Sequence, residues 1–369
     1  MNVVHLIDML SIGGAQKLLV TFARQAKQKD VGLTVVGLQN SMHAPIIPGE
    51  LKELGARVQF FPAKRILDPV RFIRLTRFLR QEQFDIIHTH LLTANILGGL
   101  AGRMLELPVI STLHSTGKNP RYANYARDQL ETWSLRRVNR VVAVGESVND
   151  VFAPILGRSL DIVPNGVTDR VVLSPPERDA LRKELTGDAS RPILIGVGNL
   201  LPDKYFEDML TAFSYIHERL PSAALVIAGI GKLGEVLRAQ CERLCLTDHV
   251  FWLGVRGDIP RLMAASDIYI SSSKREGLAI AMLEASMAAL PIVVTSVGEA
   301  PRVLANGRGV LVPPQKPQLL ADAVLELLKD PARRHTLGKA AREHALLKYA
   351  ADRWFDHLMG IYREELARE

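Results

Sequence analysis

Two carboxylates eight positions apart, Glu276 and Glu284, bracket a Gly-Leu-Ala run within SSSKREGLAIAMLEASMAALPIVVTS, residues Ser271–Ser296. Asp267–Ser271 ahead of them is apolar and β-branched, and Leu278–Ala289 contains neither Gly nor Pro, so the pattern predicts strand, polar loop and helix in direct succession. The first N–H groups of a helix have no intrahelical partners and carry the positive end of the dipole, which makes such a junction an anion site. Gly277 lets a bulky anion reach the backbone. Two helical turns would set Glu276 and Glu284 on one side, able to hydrogen-bond hydroxyls at two ends of one ligand. A diphosphate with a sugar at each end, a nucleotide sugar, suits that arrangement. The bland alternative is a first-turn Glu that complements the dipole and a second Glu on a solvated face.

The elements around this stretch alternate. Asn2–Asp8 reads as a strand leading into Ser11-Ile12-Gly13-Gly14 and a helical run from Ala15 to about Lys27, the first half of a βαβ unit. Leu33–Leu38, Arg57–Phe61, Phe84–His88, Val109–His114 and Arg140–Val144 continue as short strands separated by helical stretches. Pro192–Gly198, Ala224–Gly231 and His249–Gly254 repeat the pattern further on. Strands alternating with helices predict an α/β fold with doubly wound parallel sheets, whose ligands sit at the carboxyl ends of the strands. At 369 residues two domains are expected, and Ser174-Pro175-Pro176 with the charged run to Glu184 reads as their connection.

Composition narrows the class. Hydrophobic residues make up 47% and charged residues 23%, as in a globular protein. Cys241 and Cys245 lack companion ligands and read as buried core thiols in a reducing, cytoplasmic compartment. MNVVHLIDML reads as a strand and not a signal peptide, and no apolar run has the length of a membrane span. Residues 1–170 hold 21 Lys/Arg against 14 Asp/Glu, whereas residues 171–369 hold 25 of each, so the whole net charge of +7 belongs to the N-terminal half. An anionic membrane surface or a polyanionic substrate would match it. Asp68–Gln83 sharpens this: on a helical wheel Phe72, Leu75, Phe78 and Leu79 share one side while Arg71, Arg74, Arg77 and Arg80 sweep the other, a basic amphipathic helix that either lies on anionic lipid or packs on the sheet with a solvated cationic face. His88 and His90 close one strand and read as structural, His114 closes another, and no helical HExxH or Cys companion suggests zinc.

The segment Glu276–Glu284, continued through LEAS and PIVVT to Val297-Gly298, resembles the E-x7-E region of the retaining GT-B glycosyltransferases, above all glycosyltransferase family 4, also called glycosyl transferases group 1. The resemblance is strong over 192–313 and loose over 1–165. It implies a GT-B fold, two Rossmann-like doubly wound parallel-sheet domains facing a cleft: an acceptor-binding domain over 1–168, a nucleotide-sugar-binding domain over 169–350, and a final helix over 351–369 that crosses back to the first. By the same resemblance Glu276 contacts the donor sugar, Glu284 the ribose, and the amides of Gly277, Leu278 and Ala279 the diphosphate. Gly13 and Gly14 would border the donor phosphates, and His114 would contact the donor sugar or the acceptor.

The chain also departs from the family. The G-R-L-x-x-x-K-G pattern keeps Gly198 and Lys204 but has Asn199 for the Arg and Tyr205 for the final Gly, so one cationic contact is missing. Asn donates a weaker, neutral hydrogen bond, and Lys274 or Arg275 is a candidate to compensate. DIVPNGVTD (Asp161–Asp169) resembles iPNGvD, while Ile230, Glu299 and Arg302 replace commoner residues.

The expectation is therefore an enzyme with Glu276, His114 and Lys204 as catalytic residues and Gly13, Gly14, Asn199, Lys204, Arg275, Glu276, Gly277, Leu278, Ala279 and Glu284 on the donor. Transfer would proceed with retention at the anomeric carbon, without metal or cofactor. A UDP-sugar is favoured over GDP-mannose as donor, and the acceptor would be a glycan or lipid-linked molecule of bacterial surface-polysaccharide assembly. Nucleic acid is not an expected partner. The protein would be cytoplasmic, with peripheral contact at the inner face of the cell membrane. A GT-B nucleotide-sugar epimerase, a non-catalytic nucleotide-binding scaffold and a two-carboxylate glycosidase are the alternatives.

Overall fold

The computed structural model describes residues 1–39, 46–117 and 124–368. They form two compact units, Met1–Gly166 together with Ala351–Glu369, and Val167–Ala350. The first is built on β1 (Asn2–Ile7), β2 (Gly32–Gly37), β3 (Arg57–Phe60), β4 (Ile86–His90), β5 (Val109–Leu113), β6 (Arg140–Ala143) and β7 (Asp161–Ile162). Their order across the sheet is β3-β2-β1-β4-β5-β6-β7, and every pairing is parallel. The second contains β8 (Ile193–Val197), β9 (Ala224–Ala228), β10 (Val250–Gly254), β11 (Ile268–Ser271), β12 (Ile292–Thr295) and β13 (Val310–Val312), again parallel, in the order β10-β9-β8-β11-β12-β13.

Both sheets reverse direction beside their first strand, at β1/β4 in one unit and β8/β11 in the other. Loops leaving two such strands diverge to opposite faces and leave a crevice at the carboxyl ends, where ligands of doubly wound sheets bind. Strands buried on both faces explain the near-continuous apolar runs: β4, β5 and β9 are buried at every position. In the second unit Phe206, Leu210, Phe213 and Ile216 of helix Phe206–Arg219 pack with Leu225, Ile227, Ile268 and Val324 into one core.

Helix Ala351–Leu366 completes the first unit. Phe22, Trp354, Phe355 and Tyr362 form an aromatic cluster, and Arg140 on β6 holds Glu365 and Glu364 of this helix at 3.0 and 2.9 Å. Gly166, of the Pro-Asn-Gly turn, lies under Trp354, where a Cβ would come within 2.5 Å of the Trp Cβ.

Several local expectations are corrected. The run from Ser174 to Glu184 is no linker: Pro175–Thr186 is a helix of the second unit, opened by a capping box between Ser174 and Glu177 that competes successfully with the two prolines' turn tendency. Asp161–Ile162 is a seventh strand, too short to show a period in sequence. Cys241 is buried but Cys245 is exposed, because it follows the C-cap of helix Gly234–Arg243 in the left-handed region at φ 56°. On helix Pro69–Gln81, Arg71 is buried and donates to the carbonyls of Leu38, Arg65 and Ile66. The outer face carries Val70, Ile73, Arg74, Arg77 and Arg80 instead, so it mixes apolar and basic side chains where the wheel had separated them.

Candidate active site

In the second unit, β8 and β11 deliver two loops to the switch point. The first runs through Asn199 into the short turn Pro202–Lys204. The second is Ser272–Ala279. They are laced together: the Lys274 N–H donates to the Asp203 carbonyl at 2.9 Å, and the Ser272 hydroxyl donates to the carbonyls of Lys204 and Tyr205 at 3.2 and 2.6 Å. Tyr205 takes the left-handed conformation, φ 49°, at the position where the family pattern has Gly, and Lys274 lies over its ring.

This lacing brings Lys204 and Glu276 together. Lys204 Nζ donates to Glu276 Oε1 at 2.5 Å, and the Ser273 hydroxyl donates to the same oxygen at 2.8 Å. Thr295 at the end of β12 fixes the loop from below by donating to the Ser273 carbonyl at 2.5 Å. Arg275 Nη1 is 4.0 Å from Asp203, a further tie between the loop ahead of Glu276 and the Pro202–Lys204 turn. Gly298, with φ 54°, packs on the loop so closely that a Cβ there would sit 2.5 Å from the Gly277 carbonyl oxygen and 2.6 Å from that of Glu276. The Glu299 N–H donates to the Gly277 carbonyl at 3.0 Å.

The helix begins later than the sequence suggests. It spans Ile280–Met287 with Ala279 as its N-cap, and no side chain caps it. Leu278 is buried, and Gly277 and Leu278 form a bend that the absence of Gly and Pro could not reveal. Glu276 thus precedes the helix, and the two-turn argument for its alignment with Glu284 fails. Burial pushes the Tyr269 phenol far up, and the charges of Glu276 and Glu284 push it further. A small cavity at the ends of β11 and β12 is lined by Tyr269, Ser273, Glu276, Gly277, Met282 and Thr295.

The first unit places Gly13, Gly14 and His114 at the carboxyl ends of its strands. Gly13 is the N-cap of helix Gly14–Gln28, with no side-chain cap. Asp8, just past β1, accepts from the Ala94 N–H at 2.8 Å, and burial foremost holds its carboxyl above the usual range. His114 follows β5 and is half-buried; burial lowers its pKa to about 4, so it is neutral at physiological pH.

Behind His114 the structure adds what sequence reading missed. His5, His88 and His90 come from adjacent strands, all buried, with ring nitrogens within 4.8 Å of one another. Such spacing would admit a metal, yet each of the six nitrogens makes a hydrogen bond within a chain that includes Thr112, Tyr362 and His114. Parallel register signals part of this, since His5 pairs with His88 across β1 and β4, but Tyr362 is far away in sequence. Tyr269 and Ser273 were likewise unmarked.

Residues 177–344 match the family described as Glycosyl transferases group 1, and residues 12–170 match Glycosyltransferase Family 4. The chain is 30% identical to the GDP-mannose-dependent alpha-(1-6)-phosphatidylinositol monomannoside mannosyltransferase of Mycolicibacterium smegmatis over 73% of this chain and 72% of that one. It is 26% identical to N-acetyl-alpha-D-glucosaminyl L-malate synthase of Bacillus anthracis over 79% and 78%. Among solved structures it resembles Anabaena HepE in complex with UDP-glucose, with a TM-score of 0.87 and 21% identity over all of both chains. The fold is that of the GT-B glycosyltransferases, and the chain belongs to glycosyltransferase family 4.

Proposed function

We propose that the protein transfers a sugar, with retention at the anomeric carbon, from a nucleotide-sugar donor to a glycan or lipid-linked acceptor of bacterial surface-polysaccharide assembly. The observation that carries this reading is the Lys204–Glu276 pair, held beside the Gly277–Ala279 backbone at the β8/β11 switch point. Glu276 accepts from the donor sugar's hydroxyls and Glu284 from the ribose. Lys204, assisted by Arg275 where Asn199 replaces an Arg, meets the diphosphate together with the Gly277–Ala279 amides.

In the reaction the bond from the anomeric carbon to the diphosphate oxygen breaks as the acceptor oxygen bonds to the same face of that carbon. The acceptor's proton passes to the departing diphosphate, whose growing charge Lys204 and the amides stabilise. Fixed donors aimed at developing charge are the largest contribution in many enzymes. In this reading Lys204 and the amides supply that charge, and the reaction proceeds without a metal. The relatives' names include both UDP-linked and GDP-linked chemistry, and we favour a UDP-sugar.

Calorimetric titration with UDP, GDP and ADP in EDTA tests the donor site. UDP is expected to bind, and Glu284→Ala to weaken it by about tenfold, the loss of one hydrogen bond to a charged group. Silence from all three nucleotides would overturn the reading.

The acceptor side motivates a membrane surface. Leu67, Val70 and Ile73 are exposed beside Arg74, Arg77 and Arg80, so apolar tips and cations share one face. Among the described residues no helix is long and apolar enough to cross a membrane. Sedimentation with phosphatidylserine vesicles at low salt should capture the protein, and replacing Arg74, Arg77 and Arg80 with Gln should release it, at about 1 kcal/mol per basic residue. Equal capture of the triple variant would refute a cationic contact.

A further inference from the structure

The buried polar groups of the first unit form a single file. Thr112 Oγ1 meets His88 Nε2 at 2.7 Å, His88 Nδ1 meets the Tyr362 hydroxyl at 2.5 Å, and that hydroxyl meets His5 Nε2 at 3.4 Å. His5 Nδ1 then meets His90 Nε2 at 2.9 Å, and His90 Nδ1 meets His114 Nε2 at 3.0 Å. A neutral imidazole has one donor and one acceptor nitrogen, and a hydroxyl donates once. With every ring neutral, each junction dictates the next, so the file has only two fully paired arrangements.

In one, all donors point toward His114: Thr112 donates to His88, His88 to Tyr362, Tyr362 to His5, His5 to His90 and His90 to His114. In the other, all donors point back and the Thr112 hydroxyl must accept. Thr112 is buried, and among the described residues this is the one hydrogen bond of its side chain, so the backward arrangement would leave its O–H buried without a partner. An orphaned buried donor is disfavoured, which selects the forward arrangement.

We infer that Thr112, His88, Tyr362, His5 and His90 are positioning residues that fix His114 as the Nδ1–H tautomer, so that His114 meets its ligand through Nδ1 as a neutral hydrogen-bond donor. A neutral histidine side chain in water prefers Nε2–H, so the file reverses the intrinsic preference. The group His114 contacts must then be an acceptor, a sugar hydroxyl or phosphate oxygen, and His114 does not draw a proton from it. The tautomer stands on the hydrogen-bond geometry and on the neutrality that burial imposes on the rings; its use by a ligand rests on the proposed transferase reading.

The test is nitrogen-15 NMR of the full chain with labelled histidine at neutral pH, with His114 assigned by its loss in His114→Gln. His114 is expected to show a protonated Nδ1 and a bare Nε2. Tyr362→Phe, conservative in volume and three hydrogen bonds away from His114, removes the donor that keeps His5 Nε2 an acceptor. The His114 shifts should move toward the average of the two tautomers. An Nε2–H signature in the wild type, His114 shifts untouched in Tyr362→Phe, or a stoichiometric transition metal bound by the three inner histidines would each overturn the assignment. Because the readout needs no substrate, an inactive protein with the Nδ1–H signature would sink the proposed function and leave this inference standing.

Discussion

Glu276→Gln should lower kcat by about a hundred- to a thousand-fold, the usual cost of one preorganised electrostatic contact, while leaving thermal stability within about 1 kcal/mol of wild type. The amide keeps the shape and the Ser273 contact but removes the charge that pairs with Lys204. The Gln carbonyl can still accept from Lys204 and Ser273, so the fold is expected to hold and a large kinetic effect must come from chemistry. Lys204→Gln should act similarly, and the double variant should be less damaged than the product of the single losses because the two groups work as one unit. Steady-state kinetics beside thermal denaturation decide it. Near-normal turnover of Glu276→Gln would remove Glu276 from the mechanism.

The second large effect is acid lability of the first unit. Burial, reinforced by the neighbouring histidines, depresses the pKa values of His5, His88 and His90, and burial depresses that of His114 to about 4. The unfolded chain, with ordinary values near 6.5, then binds more protons than the folded one. Their stabilisation is complete above that pH and drains away as pH falls toward the folded values. Each histidine removes about 1.4 kcal/mol per pH unit, and His114 alone about 3 kcal/mol by the time it titrates. Four together are large against the 5–15 kcal/mol of a typical domain, so the first unit should unfold by about pH 5, above the range where carboxylates begin to protonate. His249 and His344 of the second unit are shifted the same way but only half-buried, so its decline should be shallower. Urea titrations between neutral pH and about 5.5, followed through Trp133 and Trp354, should give a free energy that falls steeply. A flat profile would mean that the buried rings are not neutral in the way described.

Sequence reading was strongest where local pattern decides. Strand alternation located both parallel sheets, and the Glu276 and Lys204 motifs led to residues that the fold brings within 2.5 Å. It failed where tertiary contacts override local preference. The Gly277–Leu278 bend exists because Gly298 and Glu299 press on its carbonyls, a constraint absent from Leu278–Ala289 itself, so the helix looked two residues longer at its start than it is. Arg71 looked solvated by periodicity, but carbonyls of Leu38, Arg65 and Ile66 draw it inside. The histidine file depended on a strand register and on a tyrosine 274 residues from His88, which no local window contains.

The placement of helix Ala351–Leu366 within the first unit also orders events at the ribosome. Synthesis runs from the N-terminus, and domains commonly fold in that sequence as they emerge. Here the second unit is complete once Ala350 has been made, whereas the first still lacks Phe355, Tyr362 and the carboxylate that holds Arg140. The half of the protein translated first therefore cannot complete its core until the whole of the second half has been made.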